Sequence, residues 1–151
     1  MKTILSRFLP VIIWMAVIFA FSARSDPYAS LPPTWGEPQV STTPTPTGTV
    51  TKTLPSTDEI LGRFLHVGEY LVLGFLVLRA VAWEGTVRAG NAGVSLGIAM
   101  LYALSDEIHQ IYVPGRAFQV SDLLLDLTGI LLGLGIYYWI YRKKERPQST
   151  D

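Results

Sequence analysis

The sequence of 151 residues contains no cysteine. This absence excludes disulfide bonds, thiolate nucleophiles, cysteine-ligated zinc sites and iron–sulfur clusters. Charged residues are also scarce, at 16% of the chain against roughly 25% in soluble domains. Twelve basic residues balance twelve acidic ones, so no net charge favours nucleic acid as a partner. Any chemistry of this chain must therefore come from a small number of polar side chains.

Apolar residues make up 49% of the chain and are concentrated in a few runs. About 20 apolar residues in a helix cross the ~30 Å hydrocarbon core of a bilayer, whereas open strands leave backbone groups unsatisfied in lipid. The runs therefore predict an all-α polytopic membrane protein, a four-transmembrane-helix bundle that forms a single domain over 1–151. The predicted transmembrane helices are 8–22, 64–83, 91–112 and 120–141.

Segment 23–58, between the first two predicted helices, is rich in proline and threonine and has no helical periodicity. It is expected to be an extended, mobile loop. At the end of this segment, the motif STDE (56–59) resembles a helix N-cap and predicts that the second helix begins there. Lysine and arginine favour one side of the bundle, most clearly in RKKER (142–146), which predicts cytoplasmic termini and an extracytoplasmic loop. The alternative for the first helix is a cleaved signal peptide, since AFSA (20–23) suits a cleavage site.

Polar side chains within the predicted spans cluster in the half of the bundle near the extracytoplasmic side. The cluster consists of Arg63, His66, Glu69, Asp106, Glu107, His109, Gln110, Arg116, Asp122 and Asp126. A lone carboxylate at mid-bilayer costs about 2.5–3.5 kcal/mol, so such groups normally pair or face a wet cavity. Spacings of three and four residues place them on one face of each helix. Two interpretations stay open, a buried structural ion-pair network and a substrate or ligand site.

Three residues of the predicted third and fourth helices, Glu107, Gly129 and Gly133, have simpler interpretations. Glu107 is alternatively expected in the head-group layer, at the end of its helix. Gly129 and Gly133 form a GxxxG motif, which allows two helices to pack closely.

The dipeptide Pro114-Gly115 predicts a short turn that holds the third and fourth helices together as antiparallel neighbours. Arg116 follows this turn directly. Its guanidinium is expected to form a bidentate pair with Asp106 or Asp122, or to bind an anionic head group.

Two stretches and one spaced pattern carry a family resemblance. The stretches are RFLHVGEYLVLGFL (63–76) and SDEIHQIYVPGR (105–116), and the pattern D-x-x-x-D-x-x-G-x-x-x-G begins at Asp122. Together they resemble the VanZ-like family, small bacterial membrane proteins named for an accessory protein of teicoplanin resistance. The chain departs from the family at Arg63, where lysine is frequent, and at Asp126, where asparagine is frequent.

The resemblance implies a location in the bacterial cytoplasmic membrane. It also implies a link to lowered sensitivity to a lipid-bearing glycopeptide, the role associated with the founding member. The first functional hypothesis is therefore non-enzymatic. The polar cluster would bind a lipid-linked envelope precursor or a lipoglycopeptide, with membrane lipids as further partners, and no cofactor is expected.

The second hypothesis is an intramembrane enzyme that acts on an envelope lipid. His66 would be the general base, Asp106 or Glu69 would orient it, and Arg116 would hold a phosphate. Ser105 lies in no recognised nucleophile motif, so acid–base chemistry with water is favoured and no catalytic residue is assigned.

The third hypothesis is a metal-binding helix bundle. His66 with Glu69, and Asp106 with His109, have the three-residue spacing of the carboxylate and histidine pairs in di-metal bundles. Asp122 or Asp126 would add further ligands. Because arginines would compete for the same carboxylates, no metal site is predicted from the spacing alone.

Overall fold

The computed structural model describes residues 4–25, 39–45, 48–54, 57–82 and 87–145. These residues form four α-helices and one pair of β-strands. In chain order the elements are α1 (Ile4–Ser22), β1 (Gln39–Thr45), β2 (Gly48–Leu54), α2 (Thr57–Val81), α3 (Ala89–Gln110) and α4 (Val120–Glu145). Each helix overlaps one of the four predicted segments, and α2 begins within the STDE motif as expected.

Among the described helices, three are long and apolar enough to cross a membrane. Their candidate spans are Leu5–Ser22 in α1, Ile60–Val81 in α2 and Val120–Lys143 in α4. The fourth predicted span, α3, is not confirmed on this criterion. The physical reason is its composition, because Asn91 and the polar end SDEIHQ lower the mean hydropathy of a helix that is otherwise apolar.

The core lies between the helices and is built from aliphatic and aromatic side chains. Buried residues of all four helices contribute to it, including Ile18, Leu73, Ala103 and Ile130. Large apolar side chains also cover the outer surface of the bundle, such as Leu101, which is 70% exposed. A chain with apolar residues both inside and outside is typical of a protein whose solvent is lipid.

Glycines bring α2 and α4 into backbone contact. A Cβ atom added at Gly129 would meet the carbonyl oxygen of Val67, and one at Gly133 would meet that of Leu71, closer than any real Cβ atom lies. In return, a Cβ at Gly74 of α2 would lie 2.6 Å from the carbonyl oxygen of Ile130. Small residues allow this close approach. In lipid the hydrophobic effect does not drive helices together, so the close van der Waals packing stabilises their association instead.

The strands form an antiparallel hairpin within the segment between α1 and α2. Gln39 pairs with Leu54, and Thr45 pairs with Gly48 at the closed end. The prediction of a 23–58 loop without regular structure is wrong for this part. Threonine and valine favour strands, but the sequences QVSTTPT and GTVTKTL lack the apolar alternation by which strands are recognised. The remainder, 26–38, 46–47 and 55–56, lies outside the described residues.

Candidate functional site

The end of α3 inserts two acidic side chains into the bundle. Asp106 is 4% exposed and Glu107 is fully buried. Because neighbouring residues of a helix point about 100° apart, Asp106 reaches α1 while Glu107 reaches the start of α4. The alternative that Glu107 lies in the head-group layer concerns its depth in the membrane and stays a prediction, but its side chain is enclosed by the bundle.

Asp106 links α1 to the last turn of α3. Its Oδ2 accepts hydrogen bonds from Ser22 Oγ at 2.9 Å and from Gln110 Nε2 at 3.2 Å. Its Oδ1 is buried and, within the described part of the chain, has no hydrogen-bond partner. Ser22 was missed in the sequence, where it reads as one polar residue at the end of an apolar run.

Arg116 contacts the same group of residues through Gln110. Its Nε and Nη2 donate to Gln110 Oε1 at 3.2 and 2.8 Å, so the guanidinium meets an amide in place of the expected carboxylate. The turn before it requires Gly115, whose φ of 80° favours glycine. Asp106, Gln110 and Arg116 thus form a continuous hydrogen-bonded chain at the end of α3.

His66 of α2 faces two carboxylates of α4. Its Nδ1 lies 3.0 Å from Asp126 Oδ1, and its Nε2 lies 3.9 Å from Asp122 Oδ2. Asp126 is 1% exposed, whereas Asp122 is half-buried. Spacing of four residues along α4 puts both carboxylates on the face toward His66, as predicted.

Glu107 caps the connection into α4. Its Oε2 accepts a hydrogen bond from the backbone N–H of Gln119 at 2.9 Å. Gln119 immediately precedes α4, where backbone N–H groups lack partners within the helix. No sequence pattern pointed to Gln119, because its contribution comes from the backbone.

A small cleft opens between α1, α2 and the end of α3. Its polar lining consists of Ser22, His66, Glu69, Asp106, Gln110 and Arg116, and its apolar lining includes Phe21, Gly62 and Leu65. The volume of this open cleft is about 40 Å³, enough for a few water molecules or one small polar group. Phe21 and Leu65 are 47% and 43% exposed, so apolar surface continues outward from the polar floor.

Residues 8–141 match the family model described as VanZ/LLP1. The chain belongs to the VanZ/LLP1 family. This confirms the resemblance drawn from the sequence, and the matched range contains every residue of the cleft. No curated protein and no solved structure shows significant similarity to this chain. Family membership and the apolar helices together identify a membrane protein.

This VanZ/LLP1 protein does not bring every predicted site residue into the cluster. His109 turns toward α1, where its ring lies 4.4 Å from the ring of Phe19. Arg63 is exposed on α2 and is not among the residues that line the cleft. The remaining predicted residues form two groups that meet at His66, the cleft group and a group of His66, Glu107, Asp122 and Asp126.

The site of this family member offers hydrogen-bond acceptors in excess. Its serines do not reach His66, since Ser105 Oγ donates to the Tyr102 carbonyl on its own helix and Ser121 Oγ donates to Asp122. Ser22 Oγ is already engaged by Asp106. None of these three serines donates to His66, and the excess of acceptors suits the binding of a donor-bearing or cationic group.

Proposed function

We propose that this protein recognises an envelope amphiphile, a lipid-linked precursor or a lipoglycopeptide, by binding one small polar group of its head in the cleft. The observation that carries the proposal is the lining of the cleft, where acidic and amide groups form the floor and two half-exposed apolar residues, Phe21 and Leu65, stand at its edge. An amphiphile matches this arrangement, because one small polar group of its head fits the polar floor while its hydrocarbon chain continues along the apolar surface.

The chemistry of the head group follows from the floor. Asp106 Oδ1 is a buried acceptor without a partner among the described residues, and Glu69 adds a second carboxylate. These groups suit hydroxyl or ammonium donors. Arg116 supplies a positive charge beside them and suits a phosphate or carboxylate. A sugar or peptide head group that carries an anionic group combines both requirements.

The proposal includes four membrane spans, with α3 as the third. Large apolar side chains line one face of α3 and are exposed in the isolated bundle, including Val94, Leu101, Leu104 and Ile108. Lipid is the solvent that such a face requires. The buried polar end of α3 then faces the bundle interior, where intramembrane carboxylates normally lie.

The proposed orientation has both termini in the cytoplasm of a bacterial cell. Basic residues lie at the four helix ends that share one side, at Arg7, Arg79, Arg88 and Arg142, as the positive-inside rule requires. The cleft then lies in the outer leaflet. The first helix is retained, because removing it at AFSA would also remove Ser22, the partner of Asp106.

Glycopeptide susceptibility tests the proposal in cells. Cells that express the wild-type chain are expected to tolerate more teicoplanin and the same amount of vancomycin, because only the former carries a lipid chain. The Asp106→Asn/Arg116→Gln double variant should lose this protection, since it removes the carboxylate with the free acceptor oxygen and the positive charge beside it. Inhibitory concentrations of both drugs are measured at matched membrane levels of the proteins.

The control is Arg79→Gln, which removes an exposed charge at the far end of α2. It should protect as well as the wild type. Protection that survives in the double variant, or that covers both drugs equally, would contradict a role of the cleft in recognising a lipidated glycopeptide.

A further inference from the structure

Three side chains from three different helices converge beneath the cleft. They are His66 of α2, Glu107 of α3 and Asp126 of α4, and one ligand-type atom of each lies within 4.8 Å of those of the other two. Glu107 is 0% exposed and Asp126 is 1% exposed. Two carboxylates are thus held close together away from solvent, an arrangement that Coulomb repulsion and desolvation both oppose.

Each carboxylate also has one oxygen that nothing in the described structure satisfies. Glu107 uses Oε2 to accept the Gln119 N–H, and Asp126 uses Oδ1 to face His66. The other oxygens, Glu107 Oε1 and Asp126 Oδ2, are buried without a partner among the described residues. A buried carboxylate requires hydrogen bonds, a counter-charge or a metal ion. Here one of the two oxygens of each carboxylate has no such partner among the described residues.

We propose that His66, Glu107 and Asp126 bind a divalent transition-metal ion, Zn²⁺ or Mn²⁺. Metal bonds to nitrogen and oxygen ligands of about 2.0–2.2 Å in tetrahedral geometry place two ligand atoms about 3.3–3.6 Å apart. The three ligand atoms lie within 4.8 Å of one another, so side-chain shifts of about 1 Å bring them into this range. An imidazole nitrogen beside two carboxylates suits Zn²⁺ or Mn²⁺ better than Ca²⁺ or Mg²⁺, which prefer oxygen ligands only.

Charge balance supports the same assignment. Two ionised carboxylates, a neutral imidazole and a dication sum to zero, so the buried group carries no net charge. Asp122 Oδ2 lies 3.9 Å from His66 Nε2, on the side of the ring away from Asp126, and is placed to orient the histidine ring. The ion would tie α2, α3 and α4 together below the cleft, because each helix supplies one ligand. This inference goes beyond head-group binding and does not depend on it.

Metal analysis of the purified full chain tests the proposal. The protein is prepared with an affinity tag free of histidine, stripped with a chelator, equilibrated with Zn²⁺ or Mn²⁺ and desalted. Elemental analysis is expected to find about one ion per chain in the wild type. Glu107→Gln and Asp126→Leu each remove one ligand and should weaken binding by at least about 100-fold, more than the 10–100-fold typical of losing an outer partner.

The matched control is Thr128→Leu. Thr128 is an exposed residue of α4 two positions beyond Asp126, and its hydroxyl donates to the carbonyl of Leu124 on its own helix, so its variant should retain one ion per chain. Co²⁺ absorption of the wild type gives a second readout that needs no variant, because nitrogen and oxygen coordination produces visible bands. A wild type that retains no ion and shows no Co²⁺ bands overturns the proposal, as does equal binding by all three variants.

Discussion

Replacing Gly133 by leucine is expected to destabilise the bundle severely. A side chain at this position would enter the backbone of α2 at Leu71, and a backbone carbonyl cannot move aside without separating the two helices. Overpacking of a well-packed interface costs about 1–3 kcal/mol and occasionally more. We expect a loss at the upper end of this range or beyond it, measured as the free energy of unfolding or as thermal stability in detergent.

Gly135→Leu is the matched control, with the same substitution two residues further along α4. A Cβ at Gly135 meets no atom within 4 Å in the described structure, and the residue is exposed. Its variant should change stability by no more than about 0.5 kcal/mol. Similar losses for Gly133→Leu and Gly135→Leu would show that α2 and α4 do not pack through this glycine.

Cysteine labelling is expected to give an all-or-none result for the topology, because the natural chain contains no cysteine and each single variant has one thiol. Ala117 and Gly90 are exposed positions near opposite ends of α3. With α3 across the membrane, a membrane-impermeant maleimide labels Ala117→Cys in intact cells. It labels Gly90→Cys only after the membrane is permeabilised.

Thr42→Cys, an exposed position of β1, serves as the reference for the outside and should label in intact cells. If α3 lay on one side of the membrane, Ala117→Cys and Gly90→Cys would label under the same condition. That outcome would leave the three spans α1, α2 and α4 and would contradict the proposed four-span arrangement with cytoplasmic termini.

The helices were predictable because lipid imposes a simple rule on the chain. An apolar run of the right length must form a helix, and all four runs do. The start of α4 at Val120 agrees with the prediction, since polar residues of the preceding turn mark it. The hairpin β1–β2 was missed for the converse reason, because a polar segment obeys no such rule and its pairing depends on backbone register.

The membership of the polar cluster was only partly predictable. Helical spacing identifies which residues of one helix share a face, and it correctly grouped Asp122 with Asp126 opposite His66. Spacing does not determine how far one helix is rotated toward another. Asp106 and His109 are three residues apart, yet His109 packs on Phe19 of α1 while Asp106 bonds Ser22 and Gln110.

Partners across helices were the least predictable feature. Arg116 was expected to pair with a carboxylate, because opposite charges attract in space however far apart their residues lie in the sequence. It bonds Gln110, because the tight turn through Gly115 brings the guanidinium back over the last turn of its own helix.

The central claim is that the cleft recognises the polar head of an amphiphile. The most direct test measures equilibrium binding to the purified chain in lipid nanodiscs. Three probes are compared: a lipid-linked sugar pyrophosphate, teicoplanin, and the free polyprenol without a head group. We expect the wild type to bind at least one of the two head-bearing probes and not the free polyprenol. Asp106→Asn/Arg116→Gln should lose about 10–100-fold in affinity, equivalent to the 1.5–3 kcal/mol of a hydrogen bond to a charged group. Equal binding of the free polyprenol, or undiminished binding by the double variant, would contradict the account.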